Sequence, residues 1–479
     1  MQQDMSRASV PDHATERRAV RKAAVRLLPF LFVLYVIAYL DRVNVGFAKL
    51  AMNDLPWFSE AVFGTGAGIF FIGYFLFEVP SNLILQRVGA RRWIMRIMLS
   101  WGVVAGAMLL ANSAPTFYAL RFALGLAEAG FFPGVLLYLT YWFTARERAR
   151  VVALFMTANS VAFIFGAPLS GWLMENPFLP GLTGWQQMFL IEAIPAVLLG
   201  FVVLKYLPDG PKDAPWLTDE EKELIQERIR RGVESTGHSP RGHSAEALGA
   251  ALRQPAVALL CLTFFFLVSG MYGISMWLPQ IIDSMGAKGD PLRTGLLTAI
   301  PYLTAGVVMV ANGFHSDRTG ERRWHIAVPA TVGALGLTAG AFLHTSPALS
   351  LAALSIAAGG MWATLGPFWS LPPLALAGRG GAALAGGIAL INAVGNLGGF
   401  LGPFAVGKVQ QAAANAAAAA GPSLAAAKPD FMVSLLVLAA CNVAGGLMAL
   451  VAARYVLRPA HPAAEPAAAA PELAPAADL

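Results

Sequence analysis

Charge is what this sequence has least of. Aspartate, glutamate, lysine and arginine make up 13% of its 479 residues, about half the share usual in a water-soluble chain. That scarcity excludes an ordinary soluble surface and leaves lipid around most of the molecule. Cysteine is nearly absent as well. Cys261 and Cys441 both fall inside apolar runs, which excludes a disulfide framework and a thiolate metal site. They read as small buried hydrophobes. The seven histidines, His13, His238, His243, His315, His325, His344 and His461, lie in tails, loops or segment ends. No His/Cys/acid cluster lies within an apolar run, so neither a metal centre nor a nucleophile with its base is expected there, and the chain does not read as an enzyme. Alternating ten-residue strands, the mark of a membrane barrel, are missing too.

What is present is apolar length. Hydrophobic residues make up 57% of the chain, and runs of about 20 residues, enough to cross a bilayer, recur along it. Twelve are expected, at 26–48, 63–85, 93–112, 116–139, 150–174, 186–207, 255–283, 293–313, 325–344, 347–375, 382–408 and 431–457. Backbone groups in lipid must be satisfied within each segment, so the expected fold is an all-α membrane protein.

The net charge of +6 has a direction. Of the 34 lysines and arginines, 26 fall in the N-terminus, the even-numbered connections and the C-terminus. Lys49, Lys288, Arg293, Lys408 and Lys428 are assigned to the opposite connections, and Arg42, Arg121 and Lys205 to segments or their edges. This positive-inside pattern predicts both termini in the cytoplasm. The basic balance is a topology signal, and no nucleic-acid partner is expected. The polar first 25 residues lead into an apolar run with no cleavage-site pattern, so that run is expected to act as an uncleaved insertion signal.

An internal repeat divides the chain. "RVGARRW" at 87–93 returns as "RTGERRW" at 318–324, each between the second and third segments of a six-segment block. Two six-helix bundles are therefore expected, with the substrate site between them near the bilayer midplane. The expected organisation is an N-terminal segment 1–25, a bundle 26–207, a cytoplasmic linker 208–254, a bundle 255–457 and a disordered tail 458–479. Within the linker, "LTDEEKELIQERIRRG" predicts an amphipathic helix opened by a Thr218–Glu221 capping box, its charges mostly a solvated face. The alanine-rich stretch 410–428 is expected outside the bundle. In the repeat itself, Arg87, Asp317, Arg318 and Arg322 are candidate gating residues, Asp317 pairing with Arg318 or Arg322. The first copy has Gln86 where the second has Asp317, so its latch is expected to be weaker or built differently.

Ionisable groups inside spans are functional candidates, because a bare charge there is strongly disfavoured. Here they are Asp41, Arg42, Glu78, Arg121, Glu128 and Glu192. Asp41 and Arg42, in "YLDRVN", point about 100° apart around their helix. Arg121 and Glu128 lie two turns apart on one face. The economical arrangement is a network facing a central cavity. Arg42 and Arg121 grip a carboxylate, and Asp41 and Glu128 carry protons; a purely structural ion-pair network is the alternative. Glu78 in "FEVPSN" and Glu192 in "LIEAIPA" sit near prolines and are read as structural. Tyr39, Tyr74, Asn159, Tyr272, Trp369, Asn392 and Asn396 are candidate substrate contacts, with Asn44 and Trp277 further polar groups in apolar context. Asn392 and Asn396, four apart, share a face.

The two loop motifs, "YLDRVN", "LRFALGLAEAGFFPG" (120–134) and "INAVGNLGGFLGPF" (391–404) resemble the major facilitator superfamily. Within it the chain resembles the anion:cation symporter group, which includes bacterial permeases for tartrate, phthalate, sugar acids and hydroxyphenylacetate. The resemblance covers about 26–457. It implies proton-driven import of a small organic carboxylate by alternating access across the bacterial inner membrane. Arg42 and Arg121 would lie near the substrate carboxylate, and Asp41 and Glu128 would be proton-linked. No cofactor beyond the coupling proton and a monomeric state are expected. The competing readings are an exporter of drugs or neutral metabolites on the same fold, a membrane enzyme and a non-transporting receptor.

Overall fold

The apolar runs become helices because lipid offers their backbone no hydrogen-bond partner. The computed structural model describes residues 13–236, 254–287, 289–376, 381–420 and 430–457. The remainder of the linker, the stretch 421–429, the tail, Lys288 and Lys428 lie outside the described residues, as does the Gln86 side chain. Among the described residues every regular element is helical, and twelve helical stretches are long and apolar enough to span a membrane.

The N-terminal half comprises α1 (His13–Met52), α2 (Glu60–Val88), α3 (Ala90–Ala107), α4 (Ala114–Glu128), α5 (Phe131–Thr140), α6 (Ala145–Glu175) and α7 (Gly184–Tyr206). The linker contributes α8 (Asp219–Thr236). The C-terminal half comprises α9 (Pro255–Ile282), α10 (Pro291–Thr319), α11 (Trp324–Phe342), α12 (Pro347–Ala363), α13 (Leu365–Trp369), α14 (Leu371–Ala375), α15 (Gly381–Asn396), α16 (Gly398–Ala420) and α17 (Met432–Val456).

Three expected single helices are interrupted. The fourth span breaks between α4 and α5, the tenth at Thr364 and Ser370, and the eleventh at Leu397. The first break follows Glu128, where Gly130 takes φ +86°. The repeat has a backbone counterpart. Gly89 and Gly320, the third residues of its two copies, have φ +93° and +68°, values that favour glycine. Each joins the second helix of its half to the third. Asp209 supplies an acid to the first copy: its Oδ1 accepts from Arg91 N at 3.1 Å and its Oδ2 lies 3.6 Å from Arg91 Nε.

Three basic features expected outside the spans are helical. α1 starts at His13, because no breaker separates the polar N-terminus from the first span. Lys49 is in the last turn of α1, buried, with Nζ donating to Asn53 Oδ1 at 2.8 Å and to Glu60 at 3.0 Å. Lys408 lies within α16, which the alanine run extends to Ala420.

The linker helix is docked rather than fully solvated. Its capping box forms, with Glu221 N donating to Thr218 Oγ1 and Thr218 N to Glu221 Oε2. The Glu221 side chain is fully buried and accepts from Lys22 at 2.7 Å and Arg18 at 3.3 Å on α1. Arg228 bridges Glu16 of α1 and Glu147 of α6. Burial alone would raise the Glu221 carboxyl; the Lys22 ammonium, the Thr218 N–H and Arg18 outweigh it and hold the group below its ordinary range.

The halves meet mainly through α6 on α10, α2 on α16 and α1 on α9. Backbones approach closely there: a Cβ at Gly64 would stand 2.7 Å from the Pro403 carbonyl oxygen, and one at Gly46 2.8 Å from that of Met276. Ala61 N donates to Gln411 Oε1, and Gln280 to the Gly46 carbonyl. These contacts gather at the end of the bundle opposite α8 and close it. The aromatic and tyrosine-rich space behind them contains the candidate site.

Candidate functional site

Between the halves lies a cavity lined by residues of both. Helix periodicity decides who reaches it. On α1, Arg42 and Tyr39 line it, with Tyr35 a further turn back. On α2 the lining residue is Tyr74, on α6 Asn159, on α9 Tyr272, next to α13 Trp369 at its end, and on α15 Asn392 and Asn396. Arg42 is the only charged residue on the wall among the described residues.

Its guanidinium is shared. Nη1 donates to the Tyr272 hydroxyl at 2.8 Å, across the two halves. Nη2 donates to Glu128 Oε1. The Tyr39 and Tyr272 hydroxyls are 3.2 Å apart. The guanidinium carbon stands over the rings of Tyr39, Phe70 and Tyr74 at 4.9, 5.2 and 5.4 Å. Arg42 Nε and Glu128 Oε2 have no partner among the described residues. The fork thus spends one arm on the other half and one on an acid at the broken end of α4. A fixed planar cation with a displaceable acidic partner suits a carboxylate ligand.

Three residues expected on the cavity do not line it, and of these Glu128 stands behind Arg42, which donates to it. Asp41, one position from Arg42, points towards α3, where Trp101 Nε1 donates to its Oδ2 at 2.6 Å. Adjacent helical residues diverge too far to share the space. Arg121 is fully buried; Nε donates to the Gly66 carbonyl at 3.0 Å and Nη2 to that of Ala67 at 3.3 Å. Its face is that of Glu128, but two turns separate them by about 10 Å along the axis, so its side chain ends on α2.

The other buried acids differ from each other. Glu192 accepts from Ser170 at 2.6 Å and Asn44 at 3.0 Å, all within the N-terminal half. Glu78 accepts from Asn392 Nδ2 at 2.5 Å, a bond from α2 to α15 between halves. Trp277 lies at the closed end against Phe63 and Lys49. Among the gating candidates, Asp317 pairs with Arg322 at 2.7 Å. That pair joins α10 to the following connection inside one half. Arg318 stacks over Phe314, and Arg87 is exposed at the end of α2.

Sequence reasoning missed Tyr35, Ser275 and Trp362 on the wall. Tyr35 is four before Tyr39 and Ser275 three after Tyr272, so stepping by one helical turn from the chosen residues finds both. Trp362 carries no such signal among the aromatics.

The family model described as "Major Facilitator Superfamily" matches residues 31–403. The chain belongs to the major facilitator superfamily. A "Putative tartrate transporter" of Agrobacterium vitis is 49% identical over 397 residues, covering 82% of this chain and 86% of the relative. A "Quinolone resistance transporter" of Acinetobacter baumannii is 39% identical, covering 84% and 91%. Among solved structures, a bacterial homologue of the human lysosomal transporter Spinster, inward-facing and unoccupied, superposes with a TM-score of 0.71 at 18% identity, covering 93% and 98%. As a major facilitator protein, the chain is a multi-pass membrane transporter and not an enzyme.

Proposed function

We propose that this transporter is a proton-coupled symporter that imports a small hydroxylated carboxylate, a hydroxy-dicarboxylate of the tartrate type, by alternating access. The reading places it in the bacterial cytoplasmic membrane as a monomer, with both termini cytoplasmic and no cofactor beyond the coupling proton. On that topology the closed end faces outward.

The observation that carries the reading is the shared guanidinium of Arg42. A substrate carboxylate and Glu128 compete for the same arm. A proton on Glu128 removes its claim and frees the arm for the substrate, so proton and anion bind together. Tyr39, Tyr74, Tyr272, Asn159, Asn392 and Asn396 offer donors and acceptors for hydroxyls, and Trp369 an apolar wall. Arg121 and Asp41 back this site, Arg121 holding α4 against α2 and Asp41 fixing α1 to α3 as the second proton-linked acid. Asp317, Arg322, Arg318 and Arg87 tune the cytoplasmic connections as the halves rock. The substrate class draws on the tartrate relative as well as on the site.

The energetics suffice. One pH unit supplies about 1.4 kcal/mol per proton, matching the ~1.4 kcal/mol of a tenfold accumulation. Two protons with a dianion move without net charge and so draw on the pH difference alone.

The test is uptake into proteoliposomes with an inside-alkaline gradient, using labelled L-tartrate, a sugar acid and an aromatic acid beside norfloxacin. Gradient-driven accumulation of L-tartrate, abolished in Arg42→Ala and uncoupled from protons in Glu128→Gln, is expected. Transport of norfloxacin with no acid moved would replace this reading by drug export; the 39% identical relative is named a quinolone resistance transporter.

A further inference from the structure

Glu78 is a buried carboxylate without an ion-pair partner among the described residues. Its Oε1 accepts from Asn392 Nδ2, and its Oε2 has no hydrogen-bond partner among the described residues. The two residues belong to different halves, Glu78 on α2 and Asn392 on α15. Asn392 also lines the cavity, as does Tyr74 one turn before Glu78. The carboxylate therefore stands one layer behind the wall, and its donor is a residue the substrate can touch.

The groups around it are few. Arg42 on α1 is the charged group within electrostatic reach, and its arms go to Tyr272 and Glu128. On α2, Tyr74 precedes it and Asn82 donates to its backbone carbonyl at 3.0 Å. On α4, Arg121 and Glu128 are engaged elsewhere. On α3, Arg96 stacks over Trp93 and Phe77. Among the described residues, no group but Asn392 donates to the Glu78 carboxylate.

We propose that Glu78 is a further proton carrier of the transport cycle, switched from the opposite half by Asn392. An amide donated to a carboxylate favours its ionised form, whereas a buried carboxylate with no donor takes up a proton instead. A substrate that claims the Asn392 amide, or separation of α2 from α15, removes that donor from Glu78. A proton from solvent then adds to the carboxylate. It leaves again as H⁺ when the amide returns. Proton uptake at Glu78 and occupancy of the cavity are thereby linked with positive sign. Asp41 and Glu192 lack this device, because their hydrogen-bond donors lie in their own half.

The inference rests on the symporter reading above, and its test separates the two. Protons moved per labelled L-tartrate are counted in proteoliposomes by a pH-indicator dye read beside tracer flux, for wild type, Glu78→Gln and Glu192→Gln. The expected result is a ratio lower by one in Glu78→Gln and equal to wild type in Glu192→Gln. Should Glu78→Gln fail to fold, Asn392→Ala decides: with the amide gone Glu78 keeps its proton in every state, and the ratio again falls by one. An unchanged ratio in the variant that decides, or an equal fall in Glu192→Gln, overturns the assignment while leaving symport standing. Wild-type protein that moves L-tartrate without protons, or not at all, overturns the symporter reading and this inference with it.

Discussion

Replacing Arg42 by lysine separates the geometry of the site from its charge. Lysine keeps the positive charge on α1 but loses the planar fork. In the structure that fork reaches Tyr272 with Nη1 and Glu128 with Nη2, and its flat face lies over three rings. A shorter reach and a single ammonium leave at least one charge-assisted hydrogen bond unmade, a loss of about 1.5–3 kcal/mol. The cation–π part is retained at reduced overlap, a change of at most about 1 kcal/mol. At about 1.4 kcal/mol per decade, the hydrogen bond alone predicts a KM for L-tartrate raised about 10- to 100-fold. Counterflow at symmetric pH is the suitable assay, because it reports binding and exchange without the proton gradient. Melting in detergent serves as the folding control, and Arg42→Ala should melt lower than Arg42→Lys, since it strands Glu128 as an unpaired buried acid. A KM for Arg42→Lys within threefold of wild type would refute the argument, because charge alone would then explain the site.

Other consequences are as specific. Trp101→Phe removes the donor that fixes Asp41 at 2.6 Å and should destabilise the protein by about 1–3 kcal/mol; an unchanged melting temperature would count against that bond. Arg121→Lys should lower stability by a similar amount, since the guanidinium serves two α2 carbonyls. It should raise the KM for L-tartrate less than Arg42→Lys does, and the reverse order would place Arg121 on the substrate. The ionised Glu221 is favoured in the folded protein, its carboxyl lying below its ordinary value of 4.5. The docking of α8 on α1 is therefore fully supported above that value and is lost as pH falls through the lower folded one. Protection factors of the α8 amides, which remove the intrinsic pH dependence of exchange, should fall on acidification from pH 6 to 3 and do so less in Glu221→Gln, which starts weaker; identical profiles would oppose this.

Much of the protein was written locally. Apolar length specified spanning helices because lipid leaves a backbone no alternative, and the returning "RxGxRRW" pattern marked two halves whose turns share a positive-φ glycine. The Thr218–Glu221 box lies within four residues and was readable for the same reason. The identity of Arg42 as an intramembrane charge was equally plain, since only function or pairing justifies an arginine there. Tertiary structure decided the partners. Neighbouring Asp41 and Arg42 diverge, one to Trp101 and one to the cavity. Arg121 shares a helical face with Glu128 yet ends on α2 carbonyls. Asp209 supplies the acid missing from the first loop copy from more than a hundred positions away. Glu221, read only as a capping residue on a mostly solvated helix, is buried because α1 continues to His13 and brings Lys22 to it. The bond between Glu78 and Asn392 joins residues more than three hundred positions apart, and no periodicity within one helix reports on the helix opposite. Local pattern states which residue types a segment must tolerate; which of them meet is set by how two bundles pack, and that depends on every contact between them at once.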